Sequence, residues 1–297
     1  MEYLYLCLII VGVTVQNVVK KAYNVKTGGK AGFTYSSGLC FTALLFFVIS
    51  SGFKFDFRVE ILPFAFGFAV SYGVATIFSF LAIRCGSLSL TSLLVSYSLI
   101  IPTFYGLIFL DETVSPFFYF GIAALLISLF LINVKKQSAD KGSENEPKIT
   151  PRWLLFAALA FIGNGACSTI QTAMQTFVAK ELGEGVDLKG EMMMIALFTV
   201  SAVFFAAALI TERDEMLPSF KKGSPFMAIG GAFNGLVNLL VMVTVKLMNP
   251  SVMFPLISAG GIVLTALVSI FFYKERLSRT QYLGFVLGIA AIVLLNI

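Results

Sequence analysis

FLDETVSPFFYFGIAALLISLFLIN, residues 109–133, returns 163 positions later as FYKERLSRTQYLGFVLGIAAIVLLN, residues 272–296. Without a gap, Glu112 pairs with Glu275, Ser115 with Ser278, Tyr119 with Tyr282, Gly121 with Gly284 and Asn133 with Asn296. Each copy is the end of an apolar segment with an acidic residue, a short polar turn and Ser, then a second apolar segment. A duplicated unit is the simplest explanation. Five apolar segments separate Glu112 from Glu275, and an odd number of membrane crossings turns the second copy upside down relative to the first.

The solvent for such a chain is lipid. Of its 297 residues 58% are hydrophobic and 12% charged, more apolar surface than a soluble domain of this length can cover. Histidine is absent, which excludes a Ser-His-Asp triad, an HExxH zinc site and any imidazole proton relay. Cys7, Cys40, Cys85 and Cys167 stand singly, without ligand spacing, and read as small buried apolar residues. No cofactor or metal is implied. The start, Met1-Glu2-Tyr3, puts an acid where a signal peptide carries basic residues, so the first apolar segment is expected to remain as a helix.

About 20 apolar residues span a bilayer as helix. Ten such segments can be drawn: 3–19, 33–51, 61–83, 88–110, 114–134, 152–178, 191–211, 225–247, 250–273 and 278–296. The expected fold is therefore an all-α integral membrane protein, with five helices in residues 1–134 and five in residues 152–297. The polar stretch between, 135–151, reads as a solvated linker.

Basic residues in short loops stay on the cytoplasmic side. With the N terminus outside, sixteen Lys and Arg fall in inward loops and five (Lys54, Arg58, Lys180, Lys189, Lys246) in outward ones. Both termini are thus expected outside the plasma (inner) membrane. The same asymmetry accounts for the net charge of +5 without a nucleic-acid partner.

Inside a bilayer, polar side chains must line a cavity, cap a backbone or pair with one another. Asn164, Ser168, Gln171 and Gln175 recur at helical spacing on the sixth segment. That stripe is either a wet path or a set of interhelical hydrogen bonds. Asn234 and Asn238 lie one turn apart beside Gly231 and Gly235, glycines spaced for close helix approach. Gln16 shares a face with Lys20, which is long enough to snorkel to the interface. Ser92, Ser96 and Tyr97 precede Pro102 on the fourth segment, and Pro102 and Pro255 each interrupt a helical ladder. Glu112 and Glu275 stand at helix ends, where a carboxylate can cap the start of the next helix.

The segment Phe109-Leu110-Asp111-Glu112-Thr113-Val114-Ser115 and its echo Tyr273-Lys274-Glu275-Arg276-Leu277-Ser278, each with a glycine nine residues after the Glu, resemble the EamA domain of the drug/metabolite transporter superfamily. Present twice, the resemblance covers essentially the whole chain. It implies two inverted five-helix EamA repeats around a central cavity, with Glu112, Ser115, Gly121, Glu275, Ser278 and Gly284 as structural motif residues. It also implies carriage of a small molecule such as an amino acid, sugar or drug, with no substrate named. The chain lacks the membrane-embedded Glu of small multidrug pumps, which weighs against proton-coupled export of cationic drugs.

The expectation is a secondary transporter for a small polar metabolite, working by alternating access, with an efflux carrier for drugs or organic cations as the alternative and a polytopic membrane enzyme as a remoter one. Binding is expected at Gln16, Asn164, Ser168, Gln171, Asn234 and Asn238, supported by Ser92, Ser96 and Tyr97. The spacing of Gly284 and Gly288 leaves open a homodimer or packing within one chain.

Overall fold

Three helices start on the same local chemistry, a hydroxyl or amide residue followed by proline: Ser115-Pro116, Thr150-Pro151 and Asn249-Pro250. Proline suits the first helical position because its missing N–H would have no partner there. The preceding side chain then serves the backbone. Ser115 Oγ accepts from the Phe117 N–H at 3.2 Å and Thr150 Oγ1 from the Trp153 N–H at 3.1 Å.

The computed structural model describes residues 1–85, 88–134, 150–183, 185–271 and 279–295, and every regular element among them is helical. In chain order these are α1 (Glu2–Thr27), α2 (Gly32–Ser50), α3 (Leu62–Cys85), α4 (Leu88–Tyr97), α5 (Ile100–Phe109), α6 (Pro116–Val134), α7 (Pro151–Phe177), α8 (Lys189–Thr211), α9 (Arg213–Thr244), α10 (Pro250–Phe271) and α11 (Arg279–Leu295). A 3-10 turn, Val59–Ile61, leads into α3, and a π turn, Val178–Leu182, extends α7. Six helices among the described residues are long and apolar enough to cross a membrane, and shorter apolar helices accompany them. Most of the expected linker, 135–149, lies outside the described residues.

Three boundaries differ from the sequence reading for identifiable reasons. α1 runs past its apolar stretch to Thr27 because Tyr23 is fully buried and donates its hydroxyl to the Ala31 carbonyl. Gly28, at φ 77°, then ends the helix in the left-handed region. α9 begins at Arg213 rather than near 225 and continues through Pro218 and Pro225. Its entry is fixed by Glu212, which accepts from the N–H groups of Phe33 and Thr34 at 2.8 Å each, so tertiary anchoring overrides the two prolines. The expected fourth segment, 88–110, is two ten-residue helices, α4 and α5. Pro102 provides no N–H for the Ser98 carbonyl, which takes the Ile101 N–H instead at 3.0 Å, and the ladder breaks at that turn.

The chain forms two compact units, neither of which is a sequence half. The first comprises Met1–Val70 with Ile170–Leu247, and the second Ser71–Thr169 with Met248–Ile297. In the first unit, α9 packs on α1 and on α2, and α2 packs on α8. A Cβ at Gly231 would collide with the Leu39 carbonyl oxygen, so that glycine sets how closely α9 approaches α2. Ser37 and Ser201 exchange hydrogen bonds, each hydroxyl donating to the other's carbonyl at 3.0 and 3.1 Å.

In the second unit, α6 and α11 run antiparallel in close contact, and α10 packs on α5 and α11. Ser128 Oγ donates to the Gly284 carbonyl at 2.6 Å, and a Cβ at Gly288 would press on the same hydroxyl. The small-residue face of α11 is therefore used inside the chain. Of the cysteines, Cys40 and Cys167 are buried but Cys7 and Cys85 are exposed. The expectation of burial fails for those two. Cys7 lies on the outward face of α1 with exposed Leu4, Leu8 and Val11, and Cys85 is the last residue of α3.

Candidate substrate site

Four amide side chains from three helices of the first unit form one connected chain. Gln171 of α7 donates through Nε2 to Asn238 Oδ1 of α9 at 2.7 Å. Asn238 donates through Nδ2 to the carbonyl of Asn234 at 2.8 Å and to its Oδ1 at 3.1 Å. Asn234 in turn donates through Nδ2 to Gln16 Oε1 of α1 at 3.0 Å. Helical spacing explains the order: Asn234 and Asn238 are one turn apart and so share the face that meets both neighbours.

Gln171 and Asn234 are buried, and the cluster is more open at Asn238 and Gln16. Gln171 is 3% exposed and its second N–H reaches the Met193 sulfur at 3.8 Å, so this end is closed by the protein. Gln16 and Asn238 are half-buried. Each amide has two N–H donors and one carbonyl oxygen. Both N–H groups of Gln171 and the Nδ2 group of Asn238 are engaged, whereas no bond from Gln16 Nε2 is found among the described residues. What the cluster can offer a ligand is therefore weighted toward donors.

Magnitudes favour exchange over permanence. An interhelical side-chain hydrogen bond in a membrane protein contributes about 0.6 kcal/mol, while leaving a buried polar group unpaired costs about 1–3 kcal/mol. A ligand that supplies equivalent acceptors can replace these bonds at little cost. One that leaves the amides unmatched cannot.

In the second unit Tyr97, Ser98 and Glu112 bond to backbone groups, and Asn164 bonds to Ser98. Asn164 of α7 donates to Ser98 Oγ at 2.6 Å, and Ser98 Oγ donates to the Val95 carbonyl at 2.6 Å, so Asn164 docks on the break between α4 and α5. Gly165 allows this: a Cβ there would strike the Ser98 carbonyl oxygen and Ile101. Tyr97 donates to the Leu126 carbonyl of α6 at 2.6 Å, and Ser96 is exposed at the rim of a void of about 20 Å³.

Glu112 has a partner other than the next helix in the chain. Its Oε2 accepts from the Ser251 N–H at 2.9 Å, in the first turn of α10, where the helix dipole favours a negative group. Ser115 caps the next helix, α6, so the expectation that the carboxylate would do so is corrected. Asp111, at φ 51°, supplies the left-handed turn that follows α5 and brings Glu112 around. A Cβ at Gly106 would strike the Glu112 carboxylate, so the small residue is part of the seat.

Of the expected binding residues, Gln16, Gln171, Asn234 and Asn238 are brought together. Gln175 is buried, with Nε2 3.6 Å from the Met174 sulfur, and Ser168 is half-buried. Asn164 and Ser168 belong to the second unit and Gln171 and Gln175 to the first, so the stripe on the sixth segment is shared between them. Gly121 packs against Leu295 and Gly284 is buried. Glu275, Ser278 and Asn296 lie outside the described residues, as does the side chain of Ser92. The sequence reading missed Ser98, whose signal was its place four residues before Pro102. It also missed Glu212, which has no local motif because it caps a helix 178 residues away.

Residues 155–297 match the EamA-like transporter family. A chain of known crystal structure superposes with a TM-score of 0.72 at 13% identity, over 98% of this chain and 98% of its own, which shows a shared fold. No curated protein matches by sequence. The second half of the chain is an EamA-like transporter domain, as its resemblance to the drug/metabolite transporter superfamily led one to expect. The protein is an integral, multi-pass membrane protein whose residues 155–297 match the EamA-like transporter family.

Proposed function

We propose, for a chain whose residues 155–297 form an EamA-like transporter domain, that it is a secondary carrier for a small, polar, acceptor-rich metabolite such as an amino acid or sugar. The observation that carries this reading is the four-amide chain Gln171, Asn238, Asn234 and Gln16: uncharged, drawn from three helices and only half-buried at Gln16 and Asn238. Neutral donors suit hydroxyl, carbonyl and carboxylate oxygens alike, and the low worth of each bond in lipid suits a site that must bind and release. Ser96, Tyr97, Asn164 and Ser168 support the second unit rather than contact substrate in this reading.

Transport would proceed by alternating access of two inverted five-helix repeats, residues 1–134 and 152–297, in ten crossings. The motif offset of 163 supports the duplication. The asymmetry of Lys and Arg favours a plasma-membrane protein with both termini outside.

A thermal-shift screen of the purified protein against amino acids, sugars, nucleosides and organic cations tests the substrate class, because a ligand of the native state raises its apparent stability. At a hundredfold excess over Kd the stabilisation is about 2.7 kcal/mol. Shifts from amino acids or sugars are expected. Shifts confined to organic cations would replace this reading with a cation efflux carrier.

A further inference from the structure

A lateral groove of about 610 Å³ runs within the first unit between α2, α8 and the start of α9, lined by none of the cluster amides. Its walls are Phe41, Phe198, Phe205 and Phe220, each about half exposed or more. Its floor contains polar residues, but their hydroxyls are spoken for. Ser37 and Ser201 bond to one another's backbone, and Thr34 Oγ1 donates to Glu212 Oε2 at 2.8 Å. To an occupant the groove is therefore hydrocarbon.

One group breaks that uniformity. Arg213 lines the groove, is exposed, and has no ion pair among the described residues. The acids beside it in the chain do not neutralise it in the groove. Glu212 is committed to the Phe33 and Thr34 N–H groups at the start of α2, Glu215 meets Lys30 at 3.5 Å, and Asp214 is exposed and not part of the lining. An aromatic-walled slot with an unpaired guanidinium has the two chemistries of one molecule, an alkyl chain carrying an anionic head.

We infer that this groove seats an anionic phospholipid of the surrounding bilayer, an acyl chain between the phenylalanines and the phosphate on Arg213. Guanidinium matches phosphate with paired N–H donors. Basic residues placed at the membrane surface attract anionic lipid by about fivefold each. The chain is membrane-embedded, so the occupant is always at hand, and a lipid there clasps α2 and α8 to the first turns of α9. This site is independent of the amide cluster and of what is carried.

Native mass spectrometry of the detergent-purified protein, with phosphatidylglycerol or phosphatidylcholine of identical acyl chains added, tests it. The wild-type chain is expected to retain phosphatidylglycerol about fivefold better, Arg213→Gln to erase that preference, and Ala202→Trp, which fills the groove from an exposed position, to lower retention of both. A wild-type chain that does not discriminate, a preference that survives Arg213→Gln, or retention untouched by Ala202→Trp would each overturn the inference. Should Ala202→Trp fail to fold, Phe205→Trp serves instead. Its fluorescence should be quenched by bromine-labelled phosphatidylglycerol chains more than by the phosphatidylcholine equivalent, and equal quenching would overturn the site.

Discussion

The four clustered amides of the first unit bond to one another, whereas in the second unit Tyr97, Ser98 and Glu112 bond to main chain and Asn164 reaches it through the Ser98 hydroxyl. Gln171, Asn238, Asn234 and Gln16 hold one another. Asn164, Ser98 and Tyr97 instead satisfy or brace the α4–α5 break and α6, and Glu112 caps α10. The difference is one of replaceability. A side-chain partner can rotate away and be replaced by a ligand oxygen, but a backbone group cannot leave its helix. Polar residues with similar sequence signals thus divide into a candidate site and a framework.

The contrast can be broken most easily at Glu112. Glu112→Ala removes a charge-assisted bond to a helix start, worth about 2 kcal/mol. A fall of several degrees in the thermal midpoint of purified protein is expected, and an unchanged midpoint would show that the carboxylate is not part of the framework. A smaller effect is expected at Asn164, whose one bond to Ser98 Oγ contributes about 0.6 kcal/mol. Asn164→Ala should lower stability by about that amount while leaving carriage per folded molecule unchanged. Reduced carriage with full stability would move Asn164 into the site.

The smallest effect belongs to Tyr35, 5% exposed, whose hydroxyl lies against Gly230 with no hydrogen-bond partner among the described residues and whose ring packs on that of Tyr23. Removing an unsatisfied buried hydroxyl relieves a desolvation cost. Tyr35→Phe should leave the midpoint unchanged or raise it slightly. A clear loss would mean that the hydroxyl has a bound partner such as water.

How much of this was legible in the sequence depended on the range of the signal. Helix starts at Ser115-Pro116 and Thr150-Pro151 are local chemistry, and the structure places caps at both. Helical periodicity alone puts Asn234 and Asn238 on one face, but of the sixth-segment stripe only Gln171 joins them, and Asn164 bonds Ser98 instead. What periodicity cannot give is the partner. That Asn164 meets Ser98, that Glu112 serves α10, and that Glu212 anchors α2 all depend on contacts between elements far apart in the chain. The early start of α9 was hidden by two prolines and a run of charges, and the break at Ser98 by a continuous apolar stretch.

Counterflow in proteoliposomes, using the compound that gives the largest stabilisation in the ligand screen, puts the amide site to the most direct test. The variant is Gln171→Leu combined with Asn238→Leu, which removes both ends of the 2.7 Å bond while keeping the space filled. Lost ligand bonds of about 1–3 kcal/mol correspond to a drop in saturable uptake on the order of tenfold or more. Uptake should collapse in that way while the variant still inserts and elutes as a single species. Saturable uptake at the wild-type rate would contradict a substrate site at the amide cluster.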